Sequence, residues 1–178
     1  DIDAVLPTIR SRSRLLRVRM PTRAEGEAFL KSRRVKDPEA ALAMAGSSPL
    51  AALSKSADER LSAKTEAALT ALLRRGAALT ADEVVRGYAN DLTIPAFSLQ
   101  LSRWTHDLIR IKSGLAPRYF VNESAALSQI AGRASLKALF GFEAEAKSVR
   151  RSSDHPLNAK QVWEAALLRY QQAARPVK

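Results

Sequence analysis

Few side chains in this chain have the types and spacing that acid–base, nucleophilic or metal chemistry requires. The 178 residues contain no cysteine and two histidines, His106 and His155, neither with a Cys, His or Asp at metal-ligand spacing. His106 is predicted to be a surface or boundary residue beside Trp104, and His155 a structural residue in the turn before Asn158. There is also no phosphate-binding loop, dinucleotide fingerprint or nucleophile elbow. We therefore predict that the chain has no active site of its own and binds no metal or cofactor.

Positive charge is the strongest chemical feature of the sequence. The net charge is +11, from 29 basic and 18 acidic residues. Ten of the basic residues lie in the first fifth of the chain: Arg10, Arg12, Arg14, Arg17, Arg19, Arg23, Lys31, Arg33, Arg34 and Lys36. Such a balance attracts acidic partners, including nucleic acid, but basic residues are also common on solvated helix faces. No recognition helix with clustered Arg, Asn and Gln accompanies this charge, so both interpretations stay open.

The elements that position these residues are predicted to be helices. Leu, Ala, Arg, Lys and Glu dominate the composition, and Thr22 with Glu25 and Thr80 with Glu83 have the spacing of capping boxes. Three short helices are predicted within 21–57, one from 61 to 76 and one from 80 to 88. A helix carrying Phe97, Leu101, Trp104, Leu108 and Ile111 follows, and then one over 125–142 with Leu127, Ile130, Leu136, Leu139 and Phe140. The last helix starts near Asn158, ends before Pro176 and carries Val162, Trp163, Ala166, Leu167 and Tyr170. Because Phe97, Phe140 and the two tryptophans occupy the apolar stripes, we predict that they pack in the core.

The first twenty residues follow a different pattern. Residues 1–12 suggest a short helix or turn, and residues 14–20 alternate between polar and apolar side chains as a strand does. An isolated strand cannot satisfy its backbone groups. We therefore expect the rest of its sheet to lie outside this chain.

Three segments, at residues 5–14, 46–53 and 155–158, resemble parts of the subunits of bacterial DNA polymerase III clamp loaders. Residues 5–14 read VLPTIRSRSR, where that family has LLPTIRSRCQ or close variants at the end of its ATPase-like domain. Residues 46–53, GSSPLAAL, resemble the Gly-Ser-Pro-x-x-Ala-Leu segment of the family's lid domain. Residues 155–158, HPLN, followed by Glu164, Leu167 and Tyr170, resemble its last collar helix. The three segments occur in the family's order along the whole chain.

The resemblance implies a role for Ser11 and Arg12, which match the family's Ser-Arg-Cys motif; Ser13 stands in place of its cysteine. In that family the motif's arginine reaches across a subunit boundary to the ATP of the neighbouring subunit. ATP-hydrolysing members also carry a sensing arginine in the lid helix after Gly-Ser, whereas residues 48–51 here are SPLA, with no basic residue. The resemblance is therefore to the delta-prime subunits, which do not hydrolyse ATP.

The resemblance also sets the expected architecture and partners. The fold is expected to be all-α, with a remnant of an α/β ATPase-like domain at 1–20, a three-helix lid at 21–57 and a helical-bundle collar at 58–178. The partners implied are the gamma or tau and delta subunits, and, through the assembled complex, primed DNA and the sliding clamp. The chain itself is expected not to be an enzyme, although the holoenzyme has DNA-directed DNA polymerase activity. A cytoplasmic location is implied, without a membrane partner, since no apolar run approaches ~18 residues.

Two other functions remain open from the residues alone. The basic N-terminal part favours a helical nucleic-acid-binding module, whose binding would fall steeply with salt. A helical adaptor unrelated to replication is the third reading.

Overall fold

The computed structural model of the chain describes residues 6–14, 16, 18–53, 61–151 and 158–176, with the backbone alone for 149–151. These residues form ten α-helices and two short 3-10 helices, and no strand occurs among them, so the all-α class is confirmed for this part of the chain. The α-helices are α1 (Pro7–Arg10), α2 (Arg23–Ser32), α3 (Pro38–Met44), α4 (Pro49–Leu53), α5 (Ala63–Arg75), α6 (Ala81–Arg86), α7 (Ile94–Lys112), α8 (Ser124–Arg133), α9 (Leu136–Arg151) and α10 (Ala159–Ala173), with 3-10 helices at Gly76–Ala78 and Val121–Glu123. None of the described helices is long and apolar enough to cross a bilayer.

Side-chain caps begin the helices where the sequence predicts them. At α2 the Thr22 hydroxyl accepts the N–H of Glu25 at 3.3 Å, and the Glu25 carboxylate accepts the N–H of Thr22 at 2.8 Å. Thr80 and Glu83 form the same reciprocal pair at α6. Such caps satisfy N–H groups that have no partner inside the helix, and each contributes about 1 kcal/mol. Further caps are Asp37 at α3, Ser62 at α5, Thr93 at α7 and Asn158 at α10.

Helices α2, α3 and α4 pack on one another as a small three-helix unit. Leu30 of α2 and Leu42 of α3 are buried in it. The two helices approach closely because residue 26 is glycine: a Cβ there would lie 2.9 Å from Leu42 Cδ2. On the outside, Arg23 of α2 forms an ion pair with Glu39 of α3. The prediction of three short helices in this part of the chain is confirmed.

Helices α5 to α10 enclose one apolar core in which α7 is central. Phe97, Leu101, Trp104 and Leu108 are each at most 1% exposed, so the predicted stripe of α7 is confirmed over these four residues. Phe97 packs against Trp163 of α10 with ring centroids 5.0 Å apart. Aromatic pairs of this kind add about 0.5–1.5 kcal/mol to the free energy gained from burial.

Buried hydrogen bonds fasten α10 to the rest of the bundle. The Trp163 indole N–H donates to the Val84 carbonyl at 2.7 Å. The Tyr170 hydroxyl accepts the indole N–H of Trp104 at 2.9 Å and donates to the carbonyl of Leu73 at 2.6 Å. Burial raises the pKa of the Tyr170 phenol above its ordinary value of 10, an effect that the Trp104 N–H opposes. The fully buried Tyr170 hydroxyl therefore links α5, α7 and α10.

The segment 125–142, predicted as one helix, consists of two. Helix α8 ends at Arg133, Ala134 adopts an extended conformation, and the Ser135 hydroxyl then accepts the N–H of Ala138 at 3.0 Å as the cap of α9. The predicted bundle of about five helices therefore has six α-helices in the described range.

The predicted core position of Phe140 was wrong. Its side chain is 53% exposed, whereas Leu139, Phe142 and Ala146 form the buried face of α9. Leu136, also predicted to face inward, is 38% exposed. The break before α9 gives this helix its own axis, so the apolar face cannot be extrapolated from α8.

The predicted strand at 14–20 is not found in the described residues of that segment, which have no regular secondary structure. All described side chains from 6 to 20 are exposed. A strand requires a partner for its backbone groups, and none of the described residues supplies one. The predicted boundary between 57 and 58 lies outside the described residues, so the division into lid and collar domains stays a prediction.

Candidate functional site

Ser11 and Arg12 lie at the end of the short helix α1. The Ser11 hydroxyl donates to the carbonyl of Thr8 at 3.1 Å, and the backbone N–H of Arg12 donates to the carbonyl of Ile9 at 3.1 Å. Pro7 has no backbone N–H, so it leaves no unpaired donor at the first position of α1. Local bonds therefore shape the backbone at Arg12, while its side chain is exposed.

The Arg12 guanidinium has no ion-pair or hydrogen-bond partner among the residues that the structure describes, and the same is true of Arg10 and Arg14. Some other basic residues in the predicted basic stretch have intramolecular partners. Arg33, for example, lies over the ring of Phe29 with its guanidinium carbon 5.3 Å from the ring centroid. Exposed cations without an ion-pair or hydrogen-bond partner among the described residues therefore occur around α1, and also at Lys31, Arg34 and Lys36.

Arg19 joins the segment before α2 to the cap of that helix. Its guanidinium donates to the two carboxylate oxygens of Glu25 at 2.6 and 2.8 Å. The bonds from Arg19, followed by those from Thr22, lower the pKa of the Glu25 carboxyl to about 2. The chain is thus tied to the three-helix unit directly after the segment that carries Arg12.

The turn that resembles the family's lid segment joins α3 to α4. Gly46 and Ser47 both have positive φ, 64° and 71°, a conformation that glycine adopts freely and serine rarely. The Ser48 hydroxyl then accepts the N–H of Ala51 at 3.3 Å at the start of α4. No basic residue occurs in α4, whose sequence is PLAAL.

His106 lies at the boundary of the core, as predicted. It is half-buried, and its ring meets the edge of Tyr119 at a centroid distance of 5.6 Å. Its Nε2 atom is buried and has no hydrogen-bond partner among the described residues. His155 lies outside the described residues. Within the described ranges, no group of three His, Cys, Asp or Glu side chains is placed to hold a metal ion.

The sequence analysis did not identify Asp107, a fully buried carboxylate in the middle of α7. Its oxygens accept the backbone N–H groups of Arg118, Tyr119 and Phe120 at 2.7, 2.8 and 2.7 Å. These three hydrogen bonds compensate for burial of the carboxylate charge and fix the position of the loop after α7. The sequence did offer a signal for it, because Asp107 is an acidic residue between the core positions Trp104 and Leu108.

An apolar ridge lies on the outer face of α9. Leu136 and Phe140 are four residues apart, so they are neighbours on the helix surface, and both are exposed. Next to them, Gly141 leaves open space where a Cβ would stand. Neighbouring exposed aromatic and aliphatic side chains are a feature of surfaces that bind another protein.

Comparisons of the chain with protein-family models, with curated protein sequences and with solved structures found no match.

Proposed function

We propose that the chain is a delta-prime-type, non-hydrolysing part of a bacterial replicative clamp loader. It assembles with gamma or tau and delta subunits through its collar, and Arg12 acts in trans at the ATP of a neighbouring subunit. Primed DNA and the sliding clamp are bound by the assembled complex. The Ser11–Arg12 motif, the lid turn and the last helix are the sequence features that resemble the family.

The observation that carries this proposal is the environment of Arg12. Its backbone is held by the α1 turn, and its guanidinium is exposed and has no partner among the described residues. Transfer of a phosphoryl group to water develops charge on the γ-phosphate oxygens, which a planar and permanently charged guanidinium stabilises well. Because the arginine comes from another chain, hydrolysis would depend on correct assembly of the ring.

The apolar residues around Arg12 support an interface at this place. Leu6, Ile9, Leu16 and Val18 are all more than half exposed. Protein surfaces rarely expose this many large apolar residues in one segment unless another surface covers them. The ATPase-like domain that the resemblance implies would supply such a surface.

The ridge of Leu136 and Phe140 supports a second contact, between collars. Stable interfaces of standard size bury about 1,600 Å² in total and have an apolar centre. The ridge offers such a centre on a helix that also packs tightly against α7. Capture of this chain by the gamma or tau and delta subunits at micromolar concentration tests the partner assignment.

The mechanism is tested by Arg12→Ala in the full-length subunit, reconstituted with its partners. We expect lower clamp- and DNA-stimulated ATP turnover with unchanged helicity, since the Arg12 side chain is exposed and has no hydrogen-bond or ion-pair partner among the described residues. Trans-acting arginines contribute about 10³ to 10⁵ in rate, but the total signal falls by less because other sites in the ring keep their own arginines. Arg12→Lys should restore little, because an ammonium lacks the planar fork.

Arg14→Ala is the matched control, because Arg14 is exposed in the same segment and also has no partner among the described residues. It should leave ATP turnover close to the wild-type value. Equal turnover in wild-type and Arg12→Ala complexes would remove Arg12 from the mechanism, and equal losses in both variants would reduce its role to that of general charge.

A further inference from the structure

A cavity of about 410 Å³ opens where the three-helix unit meets the bundle. It lies between the turn after α3, which contributes Gly46, and the facing sides of α7 and α9. Its polar lining consists of Ser102, Arg103, His106, Glu143 and Lys147, and the ring of Tyr119 borders it. We call this the hinge cavity.

Two residues that line the hinge cavity each have a buried polar atom without a hydrogen-bond partner among the described residues. The Ser102 hydroxyl and the His106 Nε2 atom make no hydrogen bond to any described residue, and they lie four residues apart on one face of α7. Leaving such a group unpaired costs roughly 1–3 kcal/mol, and native proteins usually satisfy it with water, an ion or a ligand. The volume exceeds by more than tenfold the ~30 Å³ of a single water molecule.

The charges around the hinge cavity favour an anion. Arg103 and Lys147 line it, and Arg118 donates to the carbonyl of the lining residue Gly46 at 3.3 Å. The acid of the lining, Glu143, forms an ion pair with Lys147 at 3.0 Å. A cationic ligand would meet two cationic side chains, whereas an oxyanion would meet the donors of Arg103, Ser102 and Lys147 together.

We propose that the hinge cavity binds a phosphate group, as free phosphate or as the terminal phosphate of a nucleic acid. Arg103 and Lys147 provide the charge, and the Ser102 hydroxyl and the His106 Nε2 atom, when it carries a proton, donate hydrogen bonds. Because Gly46 belongs to the three-helix unit and the other groups to the bundle, a bound phosphate contacts both. This site is independent of the clamp-loader assignment and of Arg12.

The test is a titration of the isotope-labelled protein, followed by nuclear magnetic resonance, in which phosphate replaces chloride at constant ionic strength. The imidazole signals of His106 and the amide signal of Gly46 report directly on the cavity. We expect saturable shifts of both. Parallel titrations with a short oligonucleotide, with and without a 5′-phosphate, distinguish the two sources: a nucleic-acid site requires tighter binding of the phosphorylated form than of inorganic phosphate.

Two substitutions in the cavity are expected to change the affinity for phosphate in opposite directions. Ser102→Ala should weaken phosphate binding about tenfold or more, because it removes a hydrogen bond to a charged ligand. Ser98→Ala is the matched control: this hydroxyl on the same helix is also buried without a partner among the described residues, but it does not line the cavity. Glu143→Gln should strengthen binding about two- to fivefold, because it removes a competing carboxylate.

Equal shifts with phosphate and chloride, or absence of saturation, would overturn the proposal and leave the cavity to water. Equal effects of Ser102→Ala and Ser98→Ala would overturn it as well, since the loss would then reflect the helix and not the site. Because Glu143→Gln is expected to increase affinity, general damage to the fold cannot imitate its effect.

Discussion

Tyr170→Phe removes one oxygen atom from the centre of the bundle. The hydroxyl is fully buried, accepts the Trp104 indole N–H at 2.9 Å and donates to the Leu73 carbonyl at 2.6 Å. Without it, the Trp104 N–H is left unpaired, whereas the Leu73 carbonyl keeps the N–H of Gly76. An unpaired buried donor costs about 1–3 kcal/mol and a lost hydrogen bond about 1 kcal/mol. We expect the free energy of unfolding to fall by about 2–4 kcal/mol.

The pH dependence of the stability of Tyr170→Phe provides a second test. Burial raises the pKa of Tyr170 in the folded protein, so above about pH 10 the unfolded chain releases the phenolic proton while the folded chain retains it. The contribution of this group to stability is therefore constant below pH 10 and falls above it by about 1.4 kcal/mol per pH unit. Tyr170→Phe lacks this loss, and the gap between the two proteins should narrow by about 1.4 kcal/mol between pH 8 and pH 11.

Urea unfolding followed by circular dichroism at both pH values measures these differences. Tyr88→Phe is the matched control, because the Tyr88 ring packs against Trp163 but its hydroxyl makes no hydrogen bond to a described residue. It should change stability by less than about 0.5 kcal/mol. A Tyr170→Phe variant as stable as this control would refute the structural role of the hydroxyl. A gap that does not change with pH would refute the raised pKa.

Two further substitutions test the loop after α7 and the outer face of α9. Asp107→Asn should lower the free energy of unfolding by about 1–3 kcal/mol, because one of three buried backbone N–H groups would face an amide NH₂. Faster amide hydrogen exchange at 118–120 would show that the destabilised segment is the loop after α7. Unchanged protection at these residues would contradict the prediction. Phe140→Ser should change stability by less than about 0.5 kcal/mol because the ring is exposed, yet it should weaken capture by the gamma or tau collar. A large loss of stability would mean that Phe140 belongs to the core after all, and undiminished capture would exclude the ridge from the interface.

Helix starts and the main apolar stripe could be predicted because they depend on residues close in sequence. Thr22 with Glu25 and Thr80 with Glu83 cap their own helices through bonds that span three residues. The stripe that includes Trp104 needs only the period of one continuous helix. Such interactions do not depend on where distant parts of the chain lie, so the sequence alone determines them.

Phe140, Asp107 and the segment 14–20 were decided by tertiary structure. The side of α9 that faces the core depends on the axis set after Ala134, and this axis follows from packing against α7. Asp107 is stable in the core only because folding brings three N–H groups of another segment to it. The alternation at 14–20 favours a strand only if a neighbouring strand is present.

The candidate sites divide in the same way. Ser11 and Arg12 were found from a local sequence motif, and the backbone bonds that shape their turn are local as well. The hinge cavity joins residues that are about a hundred positions apart, from Gly46 to Lys147. No periodicity or motif relates them, because their proximity arises only when folding brings the turn after α3 to the facing sides of α7 and α9.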